Sequence, residues 1–151
     1  MIDLSSKKNN IHPEVLFGVL VVEQINRGDW ITRSLENVAS IFFPRILIKL
    51  DVSLGFGQIK ISTAKTVTDL KKDKDIVRSL VNVESNIELV ARLLGNYYKC
   101  CKTDHEPLRG LINLYGTGRK QVTPNKELNI YYSLLSWSVS QKMFFKTFCK
   151  K

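Results

Sequence analysis

The sequence predicts a mainly α-helical chain folded as a single compact domain, with a small loop or hairpin set among the helices. Three observations carry that prediction. Apolar residues recur at helical spacing in separate stretches, such as Leu16, Val19 and Leu20, or Ile87, Val90, Ala91 and Leu94. Helix punctuation stands beside those stretches: Pro13 suits a first helical position, a second proline at Pro107 opens another stretch, and Gly28 and Gly116-Thr117-Gly118 suit stops. The 151 residues are enough for one domain with a real core and too few for two of ordinary size. The domain is expected over 12–149, after a flexible N-terminal segment, 1–11.

In chain order, the first helix spans Pro13 to Arg27, with Glu14 in its positive N-terminal turn. A second apolar-periodic stretch runs from Ile31 through Leu35, Val38 and Ile41 to Phe43, and Pro44 ends or kinks it. Ile46 to Leu50 fits a short helix or a strand, because so short an apolar run does not decide by period. Ser53-Leu54-Gly55-Phe56-Gly57-Gln58 is a tight loop whose glycines allow close approach of backbone to a ligand or another segment; it has neither dinucleotide-fingerprint spacing nor a P-loop lysine. Ile59 to Val67 leads as a helix or extended arm into the mixed-sign run Lys71 to Asp75, a solvated linker or helix face. Ser85-Asn86-Ile87-Glu88 has capping-box spacing and predicts a helix from Asn86 to about Lys102. A shorter helix follows Pro107 with Leu108, Leu111, Ile112 and Tyr115 on its buried side. A last helix runs from Asn125 or Leu128 to Phe148, burying Tyr131 or Tyr132, Leu135, Val139 and the Phe144/Phe145 pair, with Lys142 and Lys146 opposite.

Glu23 is the single charge inside the apolar run Val15 to Ile25. At 100° per residue it shares one side of the helix with Leu16, Val19 and Leu20, so a buried or cleft-floor carboxylate is expected. Burial disfavours the charged form and raises the pKa, which suits a general acid; a structural glutamate held by an arginine or backbone amides is the other reading.

Lys and Arg number 23 against 14 Asp and Glu, a formal charge of +9 that predicts attraction to a polyanion: nucleic acid, an anionic membrane surface or an anionic cell wall. The charge is scattered, without an arginine-rich stripe interleaved with aromatics, so no nucleic-acid partner is expected. Cys100, Cys101 and Cys149 are odd in number and make no disulfide framework; His12 and His105 stand far apart, and no metal and no cofactor is expected. The apolar run after Pro13 is too short and too polar at its end for a membrane span, and no cleavage site follows it, so neither a transmembrane segment nor a classical signal peptide is expected.

In order and rough spacing, four landmarks resemble the catalytic domain of soluble lytic transglycosylases and goose-type lysozymes. That family's pattern is a glutamate ending a buried helix, then S-x-x-G-A-x-G-L-M-Q-x-x-P-x-T-A, then N-I-x-x-G-x-x-Y-L, then A-Y-N-A-G. The corresponding residues are Glu23; Ser53 with Gly55-Phe56-Gly57-Gln58-Ile59 and Ser62-Thr63-Ala64-Lys65; Asn86-Ile87 leading to Ala91-Arg92-Leu93-Leu94; and Leu114-Tyr115-Gly116-Thr117-Gly118. The resemblance covers about His12 to Tyr132. The chain departs from the pattern in Gln24, where the family has serine after the glutamate, in Gly55-Phe56-Gly57-Gln58, where it has G-L-M-Q, and in Gly116, where it has asparagine.

The resemblance implies a lysozyme-like α+β fold with a small hairpin beside the catalytic cleft. It implies cleavage of the β-1,4 bond between N-acetylmuramic acid and N-acetylglucosamine in peptidoglycan, with Glu23 as acid and then base. A lytic transglycosylase needs no second carboxylate, whereas an inverting hydrolase places one roughly 6.5–9.5 Å away to hold a water. Asp51 is the candidate for that second carboxylate, or an ordinary turn residue or cap. Ser53 and Gln58 are implied to hydrogen-bond sugar substituents, Gly55 to let backbone and sugar approach, Asn86 to support the site or meet the N-acetyl group, and Tyr115 to orient Glu23 or stack on a sugar. Action on a periplasmic or extracellular wall without a leader implies delivery by a phage lysis, secretion or conjugation partner. The rival readings are a catalytically silent glycan- or partner-binding member of the same fold, and a basic nucleic-acid-binding helical domain.

Overall fold

The computed structural model describes residues 1–27, 30–101, 107–119, 133, 136 and 137. Among them the chain is mainly helical, with eight helices and one two-stranded sheet. The order is α1 (Ile2–Lys8), α2 (Pro13–Arg27), α3 (Trp30–Phe42), α4 (Pro44–Leu50), β1 (Ser53–Leu54), β2 (Ile59–Lys60), α5 (Ile61–Lys65), α6 (Asp73–Val81), α7 (Val83–Cys101) and α8 (Pro107–Thr117). None of these helices is long and apolar enough to cross a membrane. The chain divides into two compact units, one over 23–90 and the other over 2–22 with the chain from 91 onward.

The 23–90 unit is built around a hairpin. β1 and β2 pair antiparallel with Ser53 opposite Lys60 and Leu54 opposite Ile59, closing a four-residue loop from Gly55 to Gln58. Leu54 and Ile59 face the same way and are buried with Ile61, Ala64, Ile76, Val77 and Leu80. α6 packs on α3, α4, α5 and β1, so its apolar residues form the centre of this unit. Its first turn begins at Asp73, which places the last residues of the Lys/Asp run in a helix N-terminus where Asp73 and Asp75 meet the positive end of the dipole. Ile46 to Leu50 resolves as helix α4: Pro44 starts it, and Asp51, in the left-handed region at φ 47°, ends it.

α7 starts earlier than the sequence suggested. The cap is Asn82, in extended conformation, whose side-chain oxygen accepts the Ser85 N–H at 2.9 Å while its carbonyl accepts the Asn86 N–H at 2.9 Å. Ser85 is therefore the third residue of the helix and not its cap. Asn86 moves from the first residue to the fourth, in line with Val90 and Leu93 on the buried side.

In the other unit, α1 occupies most of the length of residues 1–11. Ser5 and Ser6 are buried, and the Asn9 amide donates to the Ser5 carbonyl at 2.9 Å. Gly95 of α7 lets this segment come close: a Cβ there would lie 2.4 Å from the Asn9 carbonyl oxygen. Leu16, Val19, Leu20 and Val22 of α2 are buried, as are Ala91, Leu93 and Leu94 of α7 and Leu111 and Ile112 of α8. α8 stops where glycine allows a left-handed turn: Gly118, φ 70°, donates its N–H to the Leu114 carbonyl. Cys100 is exposed and Cys101 buried, both as thiols. The expected last helix lies almost wholly outside the described residues; Ser133, Ser136 and Trp137 are helical and exposed.

Candidate functional site

The four residues of the hairpin loop are held by polar side chains from three helices. Gly55 comes first because it has no substitute on two grounds. Its φ is 76°, and a Cβ there would sit 1.8 Å from the Leu80 carbonyl oxygen and 2.4 Å from the Asn86 amide nitrogen. The close approach its glycine allows is thus to another segment of the chain. Gln58 closes the turn, also left-handed at φ 49°, with its N–H donating to the Gly55 carbonyl at 3.3 Å.

Asn86 lies beneath this loop, fully buried. Its Oδ1 accepts the Gly57 N–H at 2.7 Å, and its Nδ2 donates to the Leu80 carbonyl at 2.9 Å and the Leu54 carbonyl at 3.3 Å. Both amide protons and the carbonyl are used, so the cost of burying the group is offset and its orientation is set by its partners. Asn86 supports the loop from below, joining hairpin, α6 and α7.

Glu36 of α3 grips the loop from a second side. One carboxylate oxygen accepts the Gly55 N–H at 3.1 Å and the other the Gln58 Nε2 at 3.3 Å, while Gln58 Nε2 also donates to the Gly55 carbonyl at 2.9 Å. Gln24 of α2 supplies the third hold, its Nε2 donating to the Phe56 carbonyl at 2.6 Å. The residue next to Glu23 is thereby fastened to the tip of the hairpin. Glu23 itself is half-buried, one residue before this anchor in the last turns of α2.

The chain matches no protein-family model, no curated protein and no solved structure.

The site residues read from sequence divide as follows. Glu23, Asp51, Ser53, Gly55, Gln58 and Asn86 belong to the 23–90 unit; Tyr115, half-buried on α8, belongs to the other. Ser53 is half-buried on β1, and among the described residues none bonds its Oγ or the Oε1 of Gln58. Asp51 is engaged elsewhere: its two oxygens accept the Ser62 N–H and the Ser62 hydroxyl, each at 2.7 Å, capping the start of α5. Burial pushes its carboxyl up, but the two Ser62 hydrogen bonds and the nearby Lys60 and Lys65 charges outweigh that and hold it below the ordinary value of 3.8. Among the described residues no three His, Cys, Asp or Glu side chains gather in a way that could hold a metal.

Glu36 and Gln24 are the polar contacts that sequence reading did not assign. Glu36 has a weak signal: on a helical wheel it stands away from the Leu35, Val38 and Ile41 stripe, as a surface glutamate also would. Gln24 was visible only as a departure from a family pattern. Its length explains the departure, since the long amide spans from α2 to the Phe56 carbonyl.

Proposed function

We propose that this chain is a lysozyme-like, peptidoglycan-cleaving enzyme that acts on the β-1,4 bond between N-acetylmuramic acid and N-acetylglucosamine, with Glu23 as its acid and base. The observation that carries the reading is the convergence of sequence motifs on the hairpin. Gln24 is 32 residues from Phe56, and Gly57 is 29 residues from Asn86, yet each pair is joined by a hydrogen bond. Three of the four landmarks, the end of α2, the glycine loop and Asn86, are thus joined within the 23–90 unit, whose first residue is the Glu23 carboxylate, while the fourth, at Tyr115, belongs to the other unit.

In this reading protonated Glu23 donates to the glycosidic oxygen as the C1–O bond breaks. The resulting carboxylate takes the proton from the muramic acid 6-hydroxyl while O6 bonds to C1, leaving a 1,6-anhydro end and consuming no water. Ser53 Oγ and Gln58 Oε1 are the polar atoms offered to the sugar, on a loop whose backbone is already held, so little ordering accompanies binding. The transglycosylase route is favoured over hydrolysis because Asp51 is spent on Ser62 and Glu36 on the loop, whereas an inverting hydrolase requires a carboxylate for its water. A peptidoglycan substrate implies action at a periplasmic or extracellular wall.

The test is mass spectrometry of sugars released from purified peptidoglycan by the wild-type protein and by Glu23→Gln. The expected result is Glu23-dependent fragments ending in 1,6-anhydro-muramic acid. Reducing ends instead would mean hydrolysis, and no fragments from several wall types would overturn the enzyme reading.

A further inference from the structure

We propose that the outer face of α3 and α4 is a docking surface for an anionic lipid bilayer. Leu35, Val38, Ile41 and Phe42 fall within an arc of about 120° on α3. Each is at least half exposed, Ile41 and Phe42 at 72% and 70%. α4 packs on α3 and continues the face with Phe43, Ile46 and Leu50, also more than half exposed. Phe42 and Phe43 form a tilted ring pair at 6.5 Å across the junction. A patch of seven large apolar side chains within 16 residues is more than a soluble monomer ordinarily shows to water.

The orientation is also inverted. α3 turns Glu36 toward the hairpin and buries Ser40, while Leu35, Val38, Ile41 and Phe42 face outward with Ser34 and Asn37. The hydrogen bonds of Glu36 hold the helix in that orientation, so the exposed stripe is a fixed feature of the fold.

Charge selects the occupant. Arg45 and Lys49 are exposed on α4 beside Ile46, and the sole acid between residues 34 and 50 is Glu36, which is turned to the loop. The face is therefore apolar with basic side chains, and the acid at its end, Asp51, is held by Ser62 beside the Lys60 and Lys65 charges; that is the composition of a helix lying in the interface of an anionic membrane. A second copy of the chain fits poorly, because a twofold contact brings the same basic face against itself in a protein of net charge +9. No described helix can span the bilayer, so the contact lies along its surface.

The experiment is flotation of the full chain at physiological salt with vesicles of phosphatidylcholine alone or mixed with phosphatidylglycerol. The wild type is expected to float with the mixed vesicles only. Ile41→Ser/Phe42→Ser/Phe43→Ser should bind at least about a hundredfold more weakly, and Arg45→Gln/Lys49→Gln about 30-fold more weakly. Lys142→Gln/Lys146→Gln, a control for the basic C-terminal sequence, should bind within about threefold of wild type. Circular dichroism checks that each variant folds, and Leu35→Gln gives a milder second probe of the same face. The proposal is overturned if the wild type ignores phosphatidylglycerol vesicles, or if the α3–α4 variants bind as wild type does. It is equally overturned if sedimentation shows a wild-type dimer that the serine variant converts to monomer, which would make the face a self-interface.

Discussion

α7 and α3 both carry apolar stripes and both reach the same hairpin with one polar side chain, yet they use their stripes in opposite ways. On α7, Asn86 stands in line with Val90 and Leu93, so bonding Gly57 and burying the stripe require the same orientation. On α3, Glu36 stands about 160° from the centre of the Leu35, Val38, Ile41 and Phe42 stripe. Holding Gly55 and Gln58 therefore turns that stripe away from the unit's core. Asn86 is a neutral amide that three backbone groups satisfy fully, so total burial costs little; a carboxylate is less readily buried, and Glu36 stays half-buried. The direction in which an amphipathic helix faces is thus set here by where its one essential polar contact lies.

The comparison is most severely tested at the residue both helices converge upon. Gly55→Ala forces a Cβ into the Leu80 carbonyl at a left-handed backbone position, so the hairpin must lift from both Asn86 and Glu36. The expected loss is about 4 kcal/mol in chemical unfolding, or failure to fold. A loss under about 1 kcal/mol would mean the loop has freedom that the three holds deny.

The same truncation on the two stripes sharpens the contrast. Leu94→Ala, in a fully buried position, should cost about 3 kcal/mol, while Leu35→Ala, on the exposed face, should stay within about 0.5 kcal/mol. Thermal and urea midpoints measure both, and equal costs would place the α3 stripe in a core. Glu36→Ala removes a charged acceptor from the Gly55 N–H and Gln58 and should cost about 2 kcal/mol.

The smallest effect is pH-dependent. The Asp51 carboxyl is held below 3.8 in the folded chain, so the unfolded state binds the proton more readily. Its contribution is fully present above about 3.8 and is lost as pH falls through the lower folded value. Asn tolerates the left-handed backbone at this position, so Asp51→Asn isolates the charge and should lower stability by about 0.5 kcal/mol at pH 7. That difference should vanish in acid, and a penalty that persists below about pH 3 would assign it to packing.

Much of the helical framework was legible because its signals are local. Pro13 marks the start of α2 and the apolar period carries through to Arg27; Pro107 and Gly118 bracket α8 in the same way. α7 was misplaced by three residues because Asn82 and Ser85 are both good caps, and the choice depends on the extended backbone of Asn82 after α6. The hairpin was readable as a glycine loop, but its partners were not: Gln24, Glu36 and Asn86 lie about 20 to 30 residues from the atoms they hold. Periodicity could not say that the α3 stripe faces outward, since a wheel records which residues share a side and not what that side meets.

The most direct test of the account is a crystal structure of Glu23→Gln with a peptidoglycan glycan fragment. The account predicts a sugar lying across the Gly55–Gln58 loop, with the glycosidic oxygen within about 3 Å of the residue 23 side chain. A folded variant that binds the glycan elsewhere, or not at all, would contradict it.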